Sequence, residues 1–294
     1  MKLSILTATY NRANYLAKLY ESIKENLKYN LTPEWIIIDD GSTDDTKSVV
    51  QSFIDENKLE IKYLHQENSG KMTAINEAVK IATGDLIVDC DSDDYFTDDS
   101  FEIIKKYSEK LLNTDILYGL VFLKKETNGE ISGNRFNSNE QITTMFDLYF
   151  KDDIGGEKII VYNSKIRKQY SHELENNEKF ITEARMYHKM DKKYRLLAIN
   201  EAVEQGSYIE DGYTKNINKT FKENPYGYYM YFKELMQKNM KGVKFSKRLY
   251  AIKHFILFSY LTKNKFNANL IKDGFNKLLY IVLYLPGIIK SRRF

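Results

Sequence analysis

The hydrophobic pattern of the first hundred residues switches repeatedly between two periods, and this confines the chain to one fold class. Residues 3–8 read as a buried strand, after which Leu16, Leu19, Tyr20, Ile23 and Leu27 fall at helical spacing. Trp35-Ile36-Ile37-Ile38 is a second apolar run, stopped by Asp39-Asp40-Gly41. Ser42 or Thr43 is placed to cap a helix carrying Val49, Val50, Phe53 and Ile54. A third strand over 59–64 and the turn-like Glu67-Asn68-Ser69-Gly70 lead to a helix over 71–82 and a fourth strand, Leu86-Ile87-Val88. Strands alternating with helices build an α/β parallel sheet, whose ligands gather at the carboxyl ends of the strands. Those ends hold the polar residues here: Thr9-Tyr10-Asn11, Asp39-Asp40, and the stretch 89–94.

Composition narrows the class further. The length of 294 residues suits one large domain or a domain with an appendage, and 43% hydrophobic with 29% charged residues excludes wholesale disorder. One cysteine, Cys90, forms no internal disulfide, which points to a reducing compartment. Residues 1–6 lack a signal peptide's long apolar centre, and the longest apolar run, 278–285, is far short of the roughly 20 residues that span a bilayer. A cytoplasmic protein is therefore expected. The net charge of +3 is a sum of unlike parts: residues 241–294 hold twelve Lys/Arg against one acid, Asp273, a net +11 that leaves −8 for the rest. An acidic body with a basic tail suggests that the tail meets something anionic.

Asp89, Asp91, Asp93, Asp94, Asp98 and Asp99 crowd into eleven residues directly after the fourth strand. Carboxylates this dense repel one another, so at a ligand-binding edge they call for a cation. Mg²⁺ or Mn²⁺ suits them, held by one or two carboxylates with water and substrate phosphates completing the shell. In Asp91-Ser92-Asp93 one carboxylate can meet the metal and its neighbour a sugar or a bound water. The competing reading, helix caps and solvated loop residues, fits Asp98 and Asp99, which precede a helix starting near Phe101.

Four strings stand in order along residues 1–94. They are Ser4-Ile5-Leu6-Thr7-Ala8-Thr9-Tyr10-Asn11; Ile37-Ile38-Asp39-Asp40-Gly41-Ser42-Thr43-Asp44; Asn68-Ser69-Gly70-Lys71 with Ala74, Asn76 and Ala82-Thr83-Gly84-Asp85; and Asp91-Ser92-Asp93-Asp94. Together they resemble the family 2 inverting glycosyltransferases of the GT-A fold, with Ala8 where a proline is commoner and Glu77 where many members have glycine. The resemblance loosens beyond about residue 110. It implies a Rossmann-like GT-A domain, a mixed, mainly parallel α/β sheet flanked by helices, over 1–215, with a nucleotide-binding half (1–105) and an acceptor half (106–215). A basic, aromatic, helical C-terminal extension over 216–294 follows.

The resemblance also implies roles. The backbone of Thr7, Ala8 and Thr9 and the ring of Tyr10 form the nucleobase platform. Asp40 accepts from a uracil ring or ribose, with Asp39 in support; turn formation before Gly41 is the alternative for both. Lys71, at a helix N-terminus, approaches the diphosphate or is an exposed lysine without a role. Asp91 and Ser92 lie at the ribose or sugar, Asp93 is the metal ligand, and Asp94 contacts the sugar or orients the cluster. Inversion by single displacement needs a carboxylate base. Glu183, in Phe180-Ile181-Thr182-Glu183-Ala184-Arg185, occupies the comparable place, although the family more often has an aspartate there after a glutamate. Asp152, Asp153 and Glu178 are fallback candidates. The stretch 205–214 resembles the loop that closes the domain in related enzymes. His172 and His188 are either surface residues or extra metal ligands.

In the tail, Phe245, Leu249, Ile252, Phe255 and Ile256 recur at helical spacing among Lys244, Lys247, Arg248 and Lys253, and Lys290, Arg292 and Arg293 follow the apolar 278–289 stretch. Such an amphipathic helix lies on an anionic membrane surface, packs on the catalytic domain, or forms a homo-oligomer. No nucleic-acid motif accompanies it. The expected protein is a metal-dependent (Mn²⁺ or Mg²⁺) inverting glycosyltransferase, a hexosyl- or N-acetylhexosaminyltransferase at the cytoplasmic face of the membrane. It would move a sugar from a nucleotide-sugar, UDP-linked first, to a bacterial surface glycan or lipid-linked acceptor. The alternatives are a non-catalytic nucleotide-sugar-binding or scaffold protein, or a sugar nucleotidyltransferase. A dinucleotide dehydrogenase fails because no G-x-G-x-x-G follows the first strand.

Overall fold

A computed structural model describes residues 1–206 and 217–292. The chain divides into two compact units, one holding 1–172 and 188–206, the other 173–187 and 217–292. The grouping of 173–187 with the later helices is invisible in a linear reading, because it is a matter of packing and not of composition.

In the first unit the alternation is realised as β1 (Lys2–Thr9), α1 (Ala13–Asn26), β2 (Thr32–Asp39), α2 (Thr46–Asp55), β3 (Glu60–His65), α3 (Lys71–Ile81) and β4 (Leu86–Asp89). There follow β5 (Tyr95–Phe96), α4 (Ser100–Leu112), β6 (Leu117–Lys125), β7 (Gln141–Thr143), β8 (Lys158–Asn163), α5 (Ser164–Arg167) and β9 (Arg195–Gln205), while α6 (Ala184–Met190) is divided between the two units after Tyr187. Among the described residues the nine strands join one sheet in the order β3-β2-β1-β4-β8-β6-β9-β5, with β7 beside β9. β3, β2, β1 and β4 run parallel, β8 is antiparallel to both neighbours, and β6 and β9 are parallel again. One face of the sheet packs on α1, α2 and α4 through Leu3, Ile5, Trp35, Ile37 and Val88, which are fully buried. Alternate strand residues, such as Leu6, Ile36 and Ile38, turn to the face where α3 packs on β1 and β2.

Glu34 fastens the amino-terminal edge of this sheet. Fully buried on β2, it accepts from Ser4 Oγ (2.5 Å), Thr83 N (2.5 Å) and Thr83 Oγ1 (2.8 Å), and pairs with Lys62 (2.6 Å) and Lys2 (3.1 Å). Burial disfavours its charge, but Lys62 and the hydrogen bonds from Ser4 and Thr83 prevail and hold its carboxyl well below the usual range.

One expected cap is elsewhere. α2 begins at Thr46, so Ser42 and Thr43 lie outside it and bind Asn11 instead. Asp44 serves both helix starts, accepting from Thr46 N (3.1 Å) and Ala13 N (3.1 Å).

The second unit contains α7 (Ile217–Glu223), α8 (Pro225–Met236), α9 (Phe245–Leu261) and α10 (Gly274–Ser291). Its centre is aromatic: Phe258 stacks on Tyr228 (5.1 Å) and Phe232 (5.6 Å), and Phe255 lies 5.9 Å from Tyr229. Ile252, Phe255 and Ile256 are therefore buried inside this unit. Those three positions of the apolar face read along 245–256 are covered, chiefly by α8 and α10, while Phe245 at its start stays exposed. A period reveals that a helix has an apolar face; it does not reveal what covers it.

Candidate active site

Parallel register places the tips of β1, β2 and β4 side by side, Thr9 opposite Asp39 and Leu6 opposite Asp89. Thr7 is internal: its Oγ1 accepts from Trp35 Nε1 (3.0 Å) and donates to the Cys90 carbonyl (2.9 Å). Ala8 is half-buried, and Thr9 is buried with its hydroxyl oxygen unpartnered. Tyr10 is exposed at the tip. The chain turns there because Asn11 takes a left-handed conformation (φ 52°), which asparagine tolerates better than most residues. Asn11 N donates to Ser42 Oγ (2.8 Å) and its Oδ1 accepts from Thr43 N (2.8 Å), clasping the β1 and β2 tips together.

Asp39 and Asp40 are both buried, with different work. Asp39 accepts from Ser42 N (2.7 Å) and Tyr63 Oη (2.5 Å), which shapes the turn after β2. Asp40 accepts from Gln66 Nε2 (2.7 Å), Ser69 N (2.8 Å) and Gly70 N (2.8 Å), so three of its acceptor sites are filled from the loop before α3. Gly70 at φ 94° bends that loop so that α3 opens at Lys71. Lys71 Nζ lies 2.8 Å from both oxygens of Asp91.

The residues after β4 form the acidic centre. Burial works against the Asp91 charge, but Lys71 prevails and its carboxyl titrates below the ordinary range. Asp93 is half-buried and raised, by burial first and then by Asp91. Ser92 is buried between them. Asp94 is buried and pushed up to about 7 by burial, against the pull of Lys124. Asp99 stands at the N-cap position of α4, with no capping hydrogen bond from its side chain.

Sequence reasoning missed the other half of this centre. Lys124 bridges Asp94 Oδ2 (2.7 Å) and Glu157 Oε2 (2.6 Å). Glu204, buried, titrates well above the usual range because of burial and then the nearby Asp94. Asp94 Oδ1 is buried without a partner and faces Gly206, where a Cβ would lie only 1.7 Å from it. A side chain at 206 is thus incompatible with this aspartate position. The signal was present: Lys124 and Glu204 pair at the carboxyl ends of parallel β6 and β9, polar residues terminating apolar strands.

The remaining candidates sit differently. Glu183 immediately precedes α6, within the 173–187 segment of the second unit, half-buried. Glu178 caps α8, accepting from Tyr226 N (2.7 Å) and Gly227 N (2.7 Å), so its carboxylate is committed to that helix start. Asp152 accepts from Gln141 Nε2 (3.3 Å), and Asp153 occupies a left-handed position (φ 56°). His172 is buried, neither ring nitrogen partnered, and His188 packs edge-on to Phe146 (5.8 Å), so neither is a surface residue. Among the described residues no three His, Cys, Asp or Glu side chains converge as a metal cage. Of the expected closing loop, residues 207–214 lie outside the described residues.

A polar strand-tip edge beside an acidic cluster on this sheet is the arrangement of a GT-A-type fold. The profile of glycosyl transferase family 2 matches residues 4–240, and the chain belongs to that family. An uncharacterized glycosyltransferase, MG060 of Mycoplasma genitalium, is 37% identical over 113 residues, 37% of this chain and 38% of that protein. The chain thus matches well under two thirds of that relative's length. The structure of Staphylococcus aureus TarS residues 1–349 in complex with UDP-GlcNAc superposes with a TM-score of 0.58 at 18% identity, covering 100% of this chain and 92% of that one. The mannosyltransferase PcManGT of Pyrobaculum calidifontis, in complex with GDP-Man and Mn²⁺, gives 0.58 at 14% identity, covering 99% and 83%.

Proposed function

We propose that this protein transfers a sugar, hexosyl or N-acetylhexosaminyl, from a nucleotide-sugar donor to a hydroxyl of a glycan or lipid-linked glycan, with inversion. The observation that carries the reading is the run from the exposed Tyr10 ring through Asp40 and the Lys71–Asp91 pair to Asp93 and Asp94, all on the carboxyl edge of one sheet. Tyr10 stacks on the base, the backbone of residues 7–9 reads its edge, and Asp40 offers its remaining acceptor site to the ring or ribose. UDP is the first donor to test, and the UDP-GlcNAc complex of TarS supports that choice.

The residues fit a divalent cation. Asp93 is raised by burial and by Asp91, and the unpartnered Asp94 Oδ1 adds to a local excess of negative charge beyond what Lys71 and Lys124 offset. Asp93 would hold Mn²⁺ or Mg²⁺, which when bound supplies positive charge for the departing diphosphate. The Mn²⁺ complex of PcManGT supports this.

In the displacement, Glu183 takes the proton of the acceptor hydroxyl as its oxygen attacks the anomeric carbon. The bond from that carbon to the diphosphate breaks, and the electron pair leaves with the nucleotide. Lys71 stands beside the departing charge, and Lys124 keeps Asp94 directed at the sugar. Residues 1–105 serve the donor and 106–215 the acceptor. The region 216–294 faces an anionic membrane at the cytoplasmic side, where lipid-linked acceptors are held.

A panel of nucleotide sugars incubated with the protein and Mn²⁺ or Mg²⁺ tests the proposal. Metal-dependent donor hydrolysis that disappears in Asp93→Ala supports it. Tight UDP binding without turnover would instead indicate a non-catalytic nucleotide-sugar-binding protein, and pyrophosphate release from a nucleoside triphosphate a nucleotidyltransferase.

A further inference from the structure

α10 is apolar on two sides. One side packs inside its unit: Asn276 and Tyr280 are buried, Tyr280 lies 5.4 Å from Phe255, and a Cβ at Gly287 would come within 2.8 Å of Ile256 Cγ2. The opposite side presents Phe275, Leu278, Ile281, Val282, Leu285 and Ile289, each at least half exposed, Leu285 to 72%. These positions follow one another at spacings of one, three or four, a continuous stripe along one face. A row of six large apolar side chains in water is a binding surface far more often than an accident.

Charge selects the occupant. Residues 278–289 carry no charged side chain, whereas Lys272 and Lys277 stand near one end and Lys290 and Arg292 at the other. No acid lies in α10, and the single acid after residue 240, Asp273, is engaged with Arg248 (3.3 Å). A second copy of the same face would bring like charges together. A bilayer surface of anionic lipid offers acyl chains to the stripe and phosphates to both ends. No described helix is long and apolar enough to cross a membrane, so the element lies in the surface plane.

We propose that α10 is the membrane-docking element, its Phe275–Ile289 stripe entering the headgroup–acyl boundary of an anionic bilayer while Lys277, Lys290 and Arg292 meet lipid phosphates. This rests on the membrane-facing reading of the C-terminal region and narrows it to α10.

The full chain is mixed with vesicles of 3:7 phosphatidylglycerol and phosphatidylcholine, and with phosphatidylcholine alone, in a flotation assay without donor or acceptor. Binding to the anionic vesicles is expected, falling roughly tenfold or more in Val282→Ser/Leu285→Ser. It is also expected to weaken in Lys277→Gln/Lys290→Gln. Because these side chains are exposed or at the helix ends, circular dichroism should remain unchanged. Leu285→Trp adds a direct readout: the natural Trp35 is fully buried, so a blue shift with anionic vesicles reports entry of position 285. Unchanged binding in the serine variant, or no shift at 285, overturns the proposal. A dimer in light scattering that Val282→Ser/Leu285→Ser dissociates, with no vesicle binding, overturns it in favour of a second copy. Loss of catalysis in an Asp93 variant leaves these measurements untouched, so the two readings fail separately.

Discussion

The buried imidazole of His172 makes acid sensitivity calculable. The ring has no hydrogen-bond partner, and burial first, then the positive charges of Arg167 and Lys71, depress its pKa from 6.5 to about 3. Arg167 itself is fully buried, with Nη1 donating to the Tyr170 carbonyl (2.8 Å) and its guanidinium 5.4 Å from the Tyr162 ring. Between these two pKa values the unfolded chain binds a proton that the folded chain refuses. The stability contribution is therefore lost progressively as pH falls below 6.5, levelling out only near 3. At pH 5 the loss is about 2 kcal/mol, from roughly 1.4 kcal/mol for each pH step. Replacing the ring by a similar apolar shape, His172→Phe, removes the proton site. Urea unfolding of both proteins between pH 5 and 8, followed by circular dichroism, isolates the contribution as a difference. That subtraction matters because Asp94, raised to about 7, titrates in the same window with the opposite sign. The gap should shift by about 2 kcal/mol towards the phenylalanine variant between pH 7.5 and 5. A gap constant within about 0.5 kcal/mol, or an imidazole resonance titrating near 6.5, would refute the reasoning.

Glu34→Ala leaves Lys62, Ser4 and the Thr83 amide without their shared acceptor and should destabilise the protein by about 3–5 kcal/mol, read by chemical denaturation. Gly206→Ala must displace Asp94, so donor turnover should fall by about tenfold or more; equal turnover would mean that Asp94 tolerates movement. Tyr10→Ala should weaken nucleotide affinity by about 1–3 kcal/mol in calorimetry, while Tyr10→Phe keeps it, because the face and not the hydroxyl stacks. Glu183→Gln should abolish transfer while preserving nucleotide affinity; full activity would assign the base elsewhere.

Most of the polar strand-tip edge was legible in the sequence as structure because each of its motifs is local. Strand, turn and helix start follow one another within about ten residues in Ile37–Asp44 and in Asn68–Lys71, and the polar residues ending each apolar run marked the edge. Lys124 and Glu204 end apolar strands in the sequence, but their gathering beside Asp94, with Glu157 on Lys124, was not legible. They are brought together only by the crossing order β8-β6-β9, which joins segments far apart in the chain. The tail was open in the sequence for a different reason. α9 and α10 are both rich in apolar residues, and only packing decides that Ile252, Phe255 and Ile256 turn inward while Val282 and Leu285 remain in water.

The clasp of Asn11 with Ser42 and Thr43 has a thermodynamic consequence for recognition. The β1 and β2 tips are joined to each other, and Asp40 is joined to the loop before α3, by bonds that need no ligand. A nucleotide bound there as proposed would meet backbone already fixed, so little conformational entropy would be lost on its account at these residues. Binding at this edge should thus be fast and rigid in character. Nucleotide analogues that differ only in the base should differ in affinity through direct contacts, with no reordering of the tips to blur the discrimination.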